Sequence, residues 1–271
     1  MNGASREALA AARERLDALT DSTSVDAAQL ADELAAVTAL LDREVSLRRV
    51  LTDPAQAADA KAELAGRIFG GQVGGPAADL VAGTVRSRWS QSRDLVDALE
   101  ELAAMADFTA AQKAGTLDDV EDELFRFGRI VSSDTGLRSA LTDRAASTSA
   151  KSELLHSLLG GRAKATTERL VTRLVTAPRG RSLETGIESL SKLAAERRER
   201  TVAVVTSAVP LSDTQKRRLG AALARLYGRA MHLNLDVDPE VLGGIRVRVG
   251  DEIINGSLAD RLEDAARRMA S

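Results

Sequence analysis

Apolar residues recur at spacings of three and four along most of this chain. Leu30, Leu34, Val37 and Leu41 form one such stripe, and Val120, Leu124, Phe127 and Val131 form another. That period gathers each set on one face of an α-helix. The opening stretch, MNGASREALAAARERL, has the same amphipathic character. Residues 93–113 carry the pattern without a breaker and are expected to form one long helix. From Thr201 the period changes. TVAVVTSAV is rich in β-branched residues and bounded by Pro210, so a strand is expected there. His232–Val237 is a second candidate strand. Ile245-Arg-Val-Arg-Val249 alternates strictly, and Gly250-Asp251 then Glu252-Ile-Ile254 complete a hairpin with a two-residue turn.

The two helical stripes lie 90 residues apart, and so does everything around them. LRRVLTDPAQAADAKAELAGRIFGG, from Leu47, aligns with LRSALTDRAASTSAKSELLHSLLGG, from Leu137, with 12 of 25 positions identical. Leu40 falls on Ile130, Asp32-Glu33 on Asp122-Glu123, and Leu80-Val81 on Leu170-Val171. Residues 1–200 therefore hold two copies of one helical unit. In each, a break at Thr-Asp follows the striped helix, with Pro54 able to open the next turn of the first copy. A helix through Lys61–Phe69 or Lys151–Leu159 stops at Gly-Gly, whose freedom at positive φ suits a helix end. Pro76 opens a further helix. The long helix near 93–113 falls where the last helix of copy one and the first of copy two both belong, so it is expected to serve both.

After the first strand, Ser212-Asp-Thr-Gln215 has the form of a capping box and opens a helix through Tyr227. Asn255-Gly256-Ser257 turns the chain into a final helix with Leu258, Leu262 and Met269 inward. The expected fold is mainly α with a small α/β C-terminal domain: a duplicated helical bundle, then a short mixed sheet with helices. The expected boundaries are 1–105 for the first copy, 106–200 for the second and 201–271 for the α/β part.

Composition narrows the function. Aromatics are 2% of the chain, so the cores are built from Leu, Val, Ile and Ala. With 37 basic and 40 acidic residues the net charge is −3, and no basic block marks a phosphate-tracking stripe. There are no cysteines, which removes disulfides and thiolate metal sites. The opening MNGASREALAAARERL lacks the apolar core of a signal peptide, and no run nears the roughly 18 apolar residues of a membrane span. Any membrane association is therefore expected to come through a partner.

Candidate chemistry is thin. Glu153-x-x-His156 has the spacing of half a carboxylate-bridged metal motif, but Gly66 stands at the equivalent of His156 in copy one. His232 is expected at a strand edge. Gly70-Gly71-Gln-Val-Gly74-Gly75 lacks the Gly-Lys-Ser/Thr of a phosphate loop and is expected to be an interhelix turn. The acidic run Asp118–Glu123 is expected to be a solvated helix face. Ser207 has no base near it in sequence. No catalytic, cofactor-binding or metal site emerges, and a protein that holds partners, not an enzyme, is expected. A nucleic-acid-binding module, prompted by Lys216-Arg217-Arg218 and the paired Arg246 and Arg248, and a generic helical adaptor are the competing readings. Ten basic against nine acidic side chains after residue 200 make the nucleic-acid reading the weaker.

VTSAVPLSDTQKRRL and DVDPEVLGGIRVRVGDEIINGSLADRL resemble the C-terminal signature of the delta subunit of F-type ATP synthases, the OSCP family. Gly243 and Gly244 match its paired glycines, Gly250-Asp251 its hairpin, and Gly256-Ser257 the opening of its last helix; Asn255 replaces the usual Asp. Residues 113–200 resemble the family's helical domain, and the extra copy resembles the duplicated region of some actinobacterial forms. The resemblance implies a non-catalytic stator subunit without cofactors, on the cytoplasmic face of the bacterial membrane and touching it only through the complex. It implies as partners the N-terminal helices of the alpha subunits of the catalytic head and the b subunit of the peripheral stalk, and no nucleic acid. Helix order in the family points to Leu99, Leu102 and Phe108 on the long helix, with Leu170 and Leu174 opposite, as the groove for the alpha-subunit helices.

Overall fold

The computed structural model describes residues 1–21, 25–199, 202–227, 231–239, 241, 244–249 and 252–255. Residues 1–194 make one compact unit and residues 195–271 another.

The first unit is helical. Helix α1 (Gly3–Asp21) is followed by α2 (Ala27–Arg43), α3 (Val45–Thr52), α4 (Ala58–Phe69) and α5 (Gly75–Arg86). The long α6 (Ser92–Lys113) comes next, as the unbroken pattern requires. Then follow α7 (Leu117–Ser133), α8 (Thr135–Thr142), α9 (Thr148–Leu159), α10 (Ala165–Thr176) and α11 (Leu183–Glu199). The bounds of α2, α3, α4 and α5 recur as those of α7, α8, α9 and α10 at the 90-residue offset, residue for residue. The turns recur too. Asp53 Oδ1 accepts from the Ala55 amide at 2.9 Å, and Asp143 Oδ1 from the Ala145 amide at 2.8 Å. These side chains close the Thr-Asp break by mimicking a backbone turn.

Two apolar cores lie along this unit, and α6 contributes to both. Leu95, Leu99 and Leu102 pack with Leu30, Leu34, Leu41 and Leu80 in the first core. Ala104, Phe108 and Ala111 pack with Leu124, Phe127, Leu170 and Leu174 in the second. Few positions of α6 face solvent, since it is walled by helices of both copies. It ends where Gly115 takes φ +70° and the Thr116 amide donates back to the Ala111 carbonyl at 2.8 Å, closing the last turn.

The Gly-Gly stops work differently from the expectation. Gly70 has φ −62° and Gly160 φ −55°, so neither uses the left-handed region; Gly161 alone of the four has positive φ, at +69°. What excludes a side chain at Gly70 is space. A Cβ there would lie 2.5 Å from the Gly66 carbonyl oxygen.

The second unit is a four-stranded sheet: β1 (Val202–Ser207), β2 (His232–Val237), β3 (Ile245–Val249) and β4 (Glu252–Asn255), in the order β2-β1-β3-β4. Strands β1 and β2 are parallel, with α12 (Asp213–Tyr227) as the crossover, and β3 is antiparallel to both β1 and β4. Val249 pairs with Glu252, as a two-residue hairpin turn demands. Alternation sends Ala203, Val205, Val247 and Val249 to one face, where Leu223 of α12 covers them. The capping box forms. The Ser212 amide donates to Gln215 Oε1 at 2.9 Å, and the Gln215 amide donates to Ser212 Oγ at 3.3 Å. Of the family signature, Gly244 is described, with φ +105° at the entry to β3, a conformation that favours glycine. Gly243, Gly250, Asp251, Gly256 and Ser257 lie outside the described residues, as does the expected final helix.

Candidate functional site

The helical unit holds a half-enclosed cleft of about 380 Å³ where the two copies meet. One wall is the outer face of α2, with Ala35, Thr38, Ala39 and Asp42. The other is built from α10 and α11, with Leu170, Leu174, Leu190 and Leu193. Ala103 and Ala104 of α6 form the floor, and their small side chains leave the space. This size falls in the range of small-ligand pockets, and it admits a few apolar side chains of a docking helix rather than the helix itself.

Charged groups tie the walls together. Asp107 on α6 is fully buried. Its Oδ1 accepts from Arg169 Nη2 at 2.6 Å, and its Oδ2 from Arg173 Nη1 at 2.6 Å. Arg173 also reaches across the cleft to Asp32 on α2. Burial pushes the Asp107 carboxyl above the usual carboxylate range, and Arg173 and Arg169 oppose that shift. The network therefore spans three helices, α2 from copy one, α10 from copy two and the shared α6.

The loop after α10 closes one end of the cleft. Arg179 takes φ +49° and Gly180 φ +80°, which turns the Arg179 side chain back onto α6. There its guanidinium lies against Glu100 and points Nη1 at Asp97, 3.9 Å away. Arg181 Nη2 bonds Glu100 Oε2 at 2.5 Å, and Arg93 Nη2 donates to the Arg179 carbonyl at 2.7 Å. Burial raises the Asp97 carboxyl from its ordinary value, against the pull of Arg179 and Arg93.

Of the five groove residues expected from the sequence, the structure brings three together. Phe108, Leu170 and Leu174 share the second core, and Leu170 and Leu174 reach the cleft surface. Leu99 and Leu102 lie in the first core, each fully buried. All five are core side chains. The exposed rim of the cleft is made by Ala39 and Ser189 instead, with Asp42 half-buried beside them.

Three further residues singled out in the sequence have other roles. Glu123 is no solvated acid: its carboxylate accepts from the Lys164 amide at 3.0 Å and from Thr167 Oγ at 2.5 Å, capping α10. The matching Asp-Glu pairs were the sequence signal, since the carboxylate of Glu33, the counterpart of Glu123, also lies beside Gly74 at the start of α5. His156 Nδ1 is bonded to Glu168 Oε1 at 2.7 Å, across from α9 to α10, and not to Glu153. Among the described residues no cluster of His, Asp and Glu is arranged to hold a metal. Ser207 Oγ donates to the Val209 carbonyl at 2.7 Å, a structural bond at the end of β1.

Known proteins resemble this chain along its whole length. The family model "ATP synthase delta (OSCP) subunit" matches residues 101–269. The "ATP synthase subunit delta" of Streptomyces avermitilis is 84% identical over 270 residues, covering 100% of this chain and 99% of that protein. That of Streptomyces coelicolor is 82% identical over 271 residues, with 100% and 99% coverage. That of Thermobifida fusca is 47% identical over 270 residues, covering 100% of both.

Proposed function

The chain belongs to the ATP synthase delta (OSCP) subunit family, and on that premise we propose which surfaces make its attachments. It is a non-catalytic stator subunit of F-type ATP synthase, peripheral to the membrane-bound complex. No described helix is long and apolar enough to cross a membrane.

The cleft at the junction of the copies receives apolar anchors from an N-terminal helix of a head alpha subunit. The observation that carries this reading is an apolar wall over a small-residue floor, in which Leu190 and Leu193 are left partly uncovered and the buried Leu170 and Leu174 lie behind them. Phe108 backs that wall from within, while Leu99 and Leu102 hold α6 against the first copy. Helix-in-groove docking of this kind reaches nanomolar affinity, about −12 kcal/mol, from a few well-buried anchors. The b subunit of the stalk attaches to the C-terminal unit. Exposed Leu235 and Val237 on the outer strand β2, and Leu226 on α12, support that assignment. With both attachments made on the cytoplasmic side, the chain holds the head against the turning rotor. The two helical copies act as bundles joined rigidly through α6, with no flexible linker between them.

Calorimetric titration of the full chain with the N-terminal peptide of the alpha subunit from its own organism tests the cleft. Saturable binding is expected. Ala39→Trp, an exposed position on the cleft wall, should fill the space and weaken binding at least about tenfold without lowering the melting temperature. Equal binding by the variant, or none by the folded wild type, would remove the cleft as the docking site.

A further inference from the structure

The sheet of the C-terminal unit ends in two edges of different character. In the order β2-β1-β3-β4, both β2 and β4 have a strand on one side only among the described residues. An edge strand leaves a row of backbone donors and acceptors open to another strand. Proteins guard such edges with short length, lysine, proline or a bulge. Strand β4 is guarded by length, at four residues. Strand β2 has six residues, His-Leu-Asn-Leu-Asp-Val, with neither lysine nor proline. Its register against β1 runs unbroken through six consecutive pairs, so it carries no bulge.

Alternation fixes what this edge offers. The Asp238 amide donates to the Ser207 carbonyl of β1 at 3.0 Å. Backbone groups along a strand point to alternate sides, so those of Asn234 and Asp236 also turn toward β1. Those of Leu233, Leu235 and Val237 turn away from it. The same three residues pair with Ala203, Val205 and Ser207 and share their face of the sheet. Leu235 is 38% exposed and Val237 46%, so the outward backbone groups there stand beside uncovered apolar side chains. Asn234 and Asp236 are exposed on the opposite face.

We infer that the unassembled chain pairs with a second copy of itself along β2, antiparallel and about a twofold axis at Leu235. In that register Leu235 meets its own equivalent and Leu233 meets Val237. All three outward residues then exchange hydrogen bonds, and their apolar side chains cover one another. On the other face Asn234 stands opposite Asp236, where an amide donor meets a carboxylate. The neighbouring registers are worse. A slip of two residues one way sets Asp236 against Asp236 of the second copy, and like charges directly opposite destabilise a sheet. A slip the other way carries Val237 past the end of the second copy's strand. The pairing is self-complementary, as a twofold interface requires, and it joins the two sheets into one. It also covers Leu235 and Val237, the surface assigned above to the b subunit. Pairing and stalk attachment therefore exclude each other, a consequence that rests on that assignment, whereas the pairing itself does not.

The test follows the purified full chain by analytical ultracentrifugation at rising concentration, where a reversible doubling of mass is expected. Leu235→Lys supplies the absent guard and should leave a monomer that keeps its circular dichroism spectrum. The chain has no cysteine, so one introduced by Leu235→Cys reports on this edge alone. A short bismaleimide should link that variant into a covalent dimer, in several-fold higher yield than Ile253→Cys on β4. A chain still monomeric at about 1 mM, where complexes of millimolar Kd are half formed, would overturn the pairing. So would a dimer that Leu235→Lys leaves intact, or equal linking through Ile253→Cys. The C-terminal peptide of the b subunit is then added to the dimer. Conversion to a complex of one chain with peptide supports the shared surface. Peptide held by an intact dimer would overturn the exclusion, and with it the assignment of β2 to the stalk, while the pairing stands.

Discussion

Asp107 and Lys61 are both charged residues in apolar surroundings, and their partners set different expectations. Asp107 has no contact with solvent and holds two arginines at 2.6 Å. Asp107→Ala would leave Arg169 and Arg173 without their shared carboxylate, and a loss of about 3–5 kcal/mol in urea-induced unfolding is expected. Asp107→Asn keeps an acceptor and should cost less. Asp32, the exposed end of the same network, should contribute under about 1 kcal/mol when changed to Asn. Lys61 is buried, with Nζ donating to the Ser87 carbonyl at 3.2 Å. Burial lowers its ammonium below the ordinary 10.5, and Asp53 only partly opposes this. The unfolded chain therefore keeps a proton that the folded chain releases, so this residue's contribution makes stability rise with pH in the window just below 10.5. Lys61→Met should remove that rise and be neutral or slightly stabilising at pH 7, measured by denaturant unfolding at a series of pH values. The repeat showed the lysine at both 61 and 151, but burial at 61 and partial exposure at 151 follow from packing alone.

At the scale of elements, the crossing of α10 and α11 decides the shape of the cleft. Gly186 permits it: a Cβ there would come within 2.2 Å of Leu174 Cδ1 and 2.9 Å of Cδ2. Gly186→Ala forces Leu174 to a new rotamer or pushes α11 outward. A loss of roughly 1–3 kcal/mol is expected from overpacking, with weaker binding of the alpha-subunit peptide, both readable from melting curves with and without peptide. The helices themselves were legible from the periodicity, and their starts and stops from Pro76, the Thr-Asp breaks and the Ser212–Gln215 box. The site was less so. Leu99 and Leu102 carry the same apolar letter as Phe108, and the chain alone does not say which side of a doubly walled helix each one faces. Glu123 shows the same limit, since an acid in an acidic run becomes a cap only when α10 arrives beside it.

For the whole molecule, the shared helix makes the two copies mutually dependent. Deleting residues 1–90 would expose Leu95, Leu99 and Leu102 of α6, which pack only in the first core. Each such side chain contributes roughly 1.5–3 kcal/mol on burial. The truncated chain is expected to melt at a lower temperature and to self-associate, seen by thermal denaturation and size-exclusion chromatography. A truncated chain as stable and monomeric as the full one would mean that the second copy does not rely on the first.

By itself the sequence determined the repeat, the helical and strand elements, the strand register around Gly250-Asp251, and the family, because each is written in local spacing and in residues a few positions apart. Tertiary structure decided which face of α6 meets which core, that the cleft is walled by α2 as well as α10, and that Arg173 spans it. It also decided that Phe125 and Ile130 stand in solvent while their counterparts Ala35 and Leu40 lie partly covered against the helical core. Those outcomes depend on which helix packs beside which. Two copies with the same pattern acquire different neighbours only because one of them is followed by another copy and the other is not.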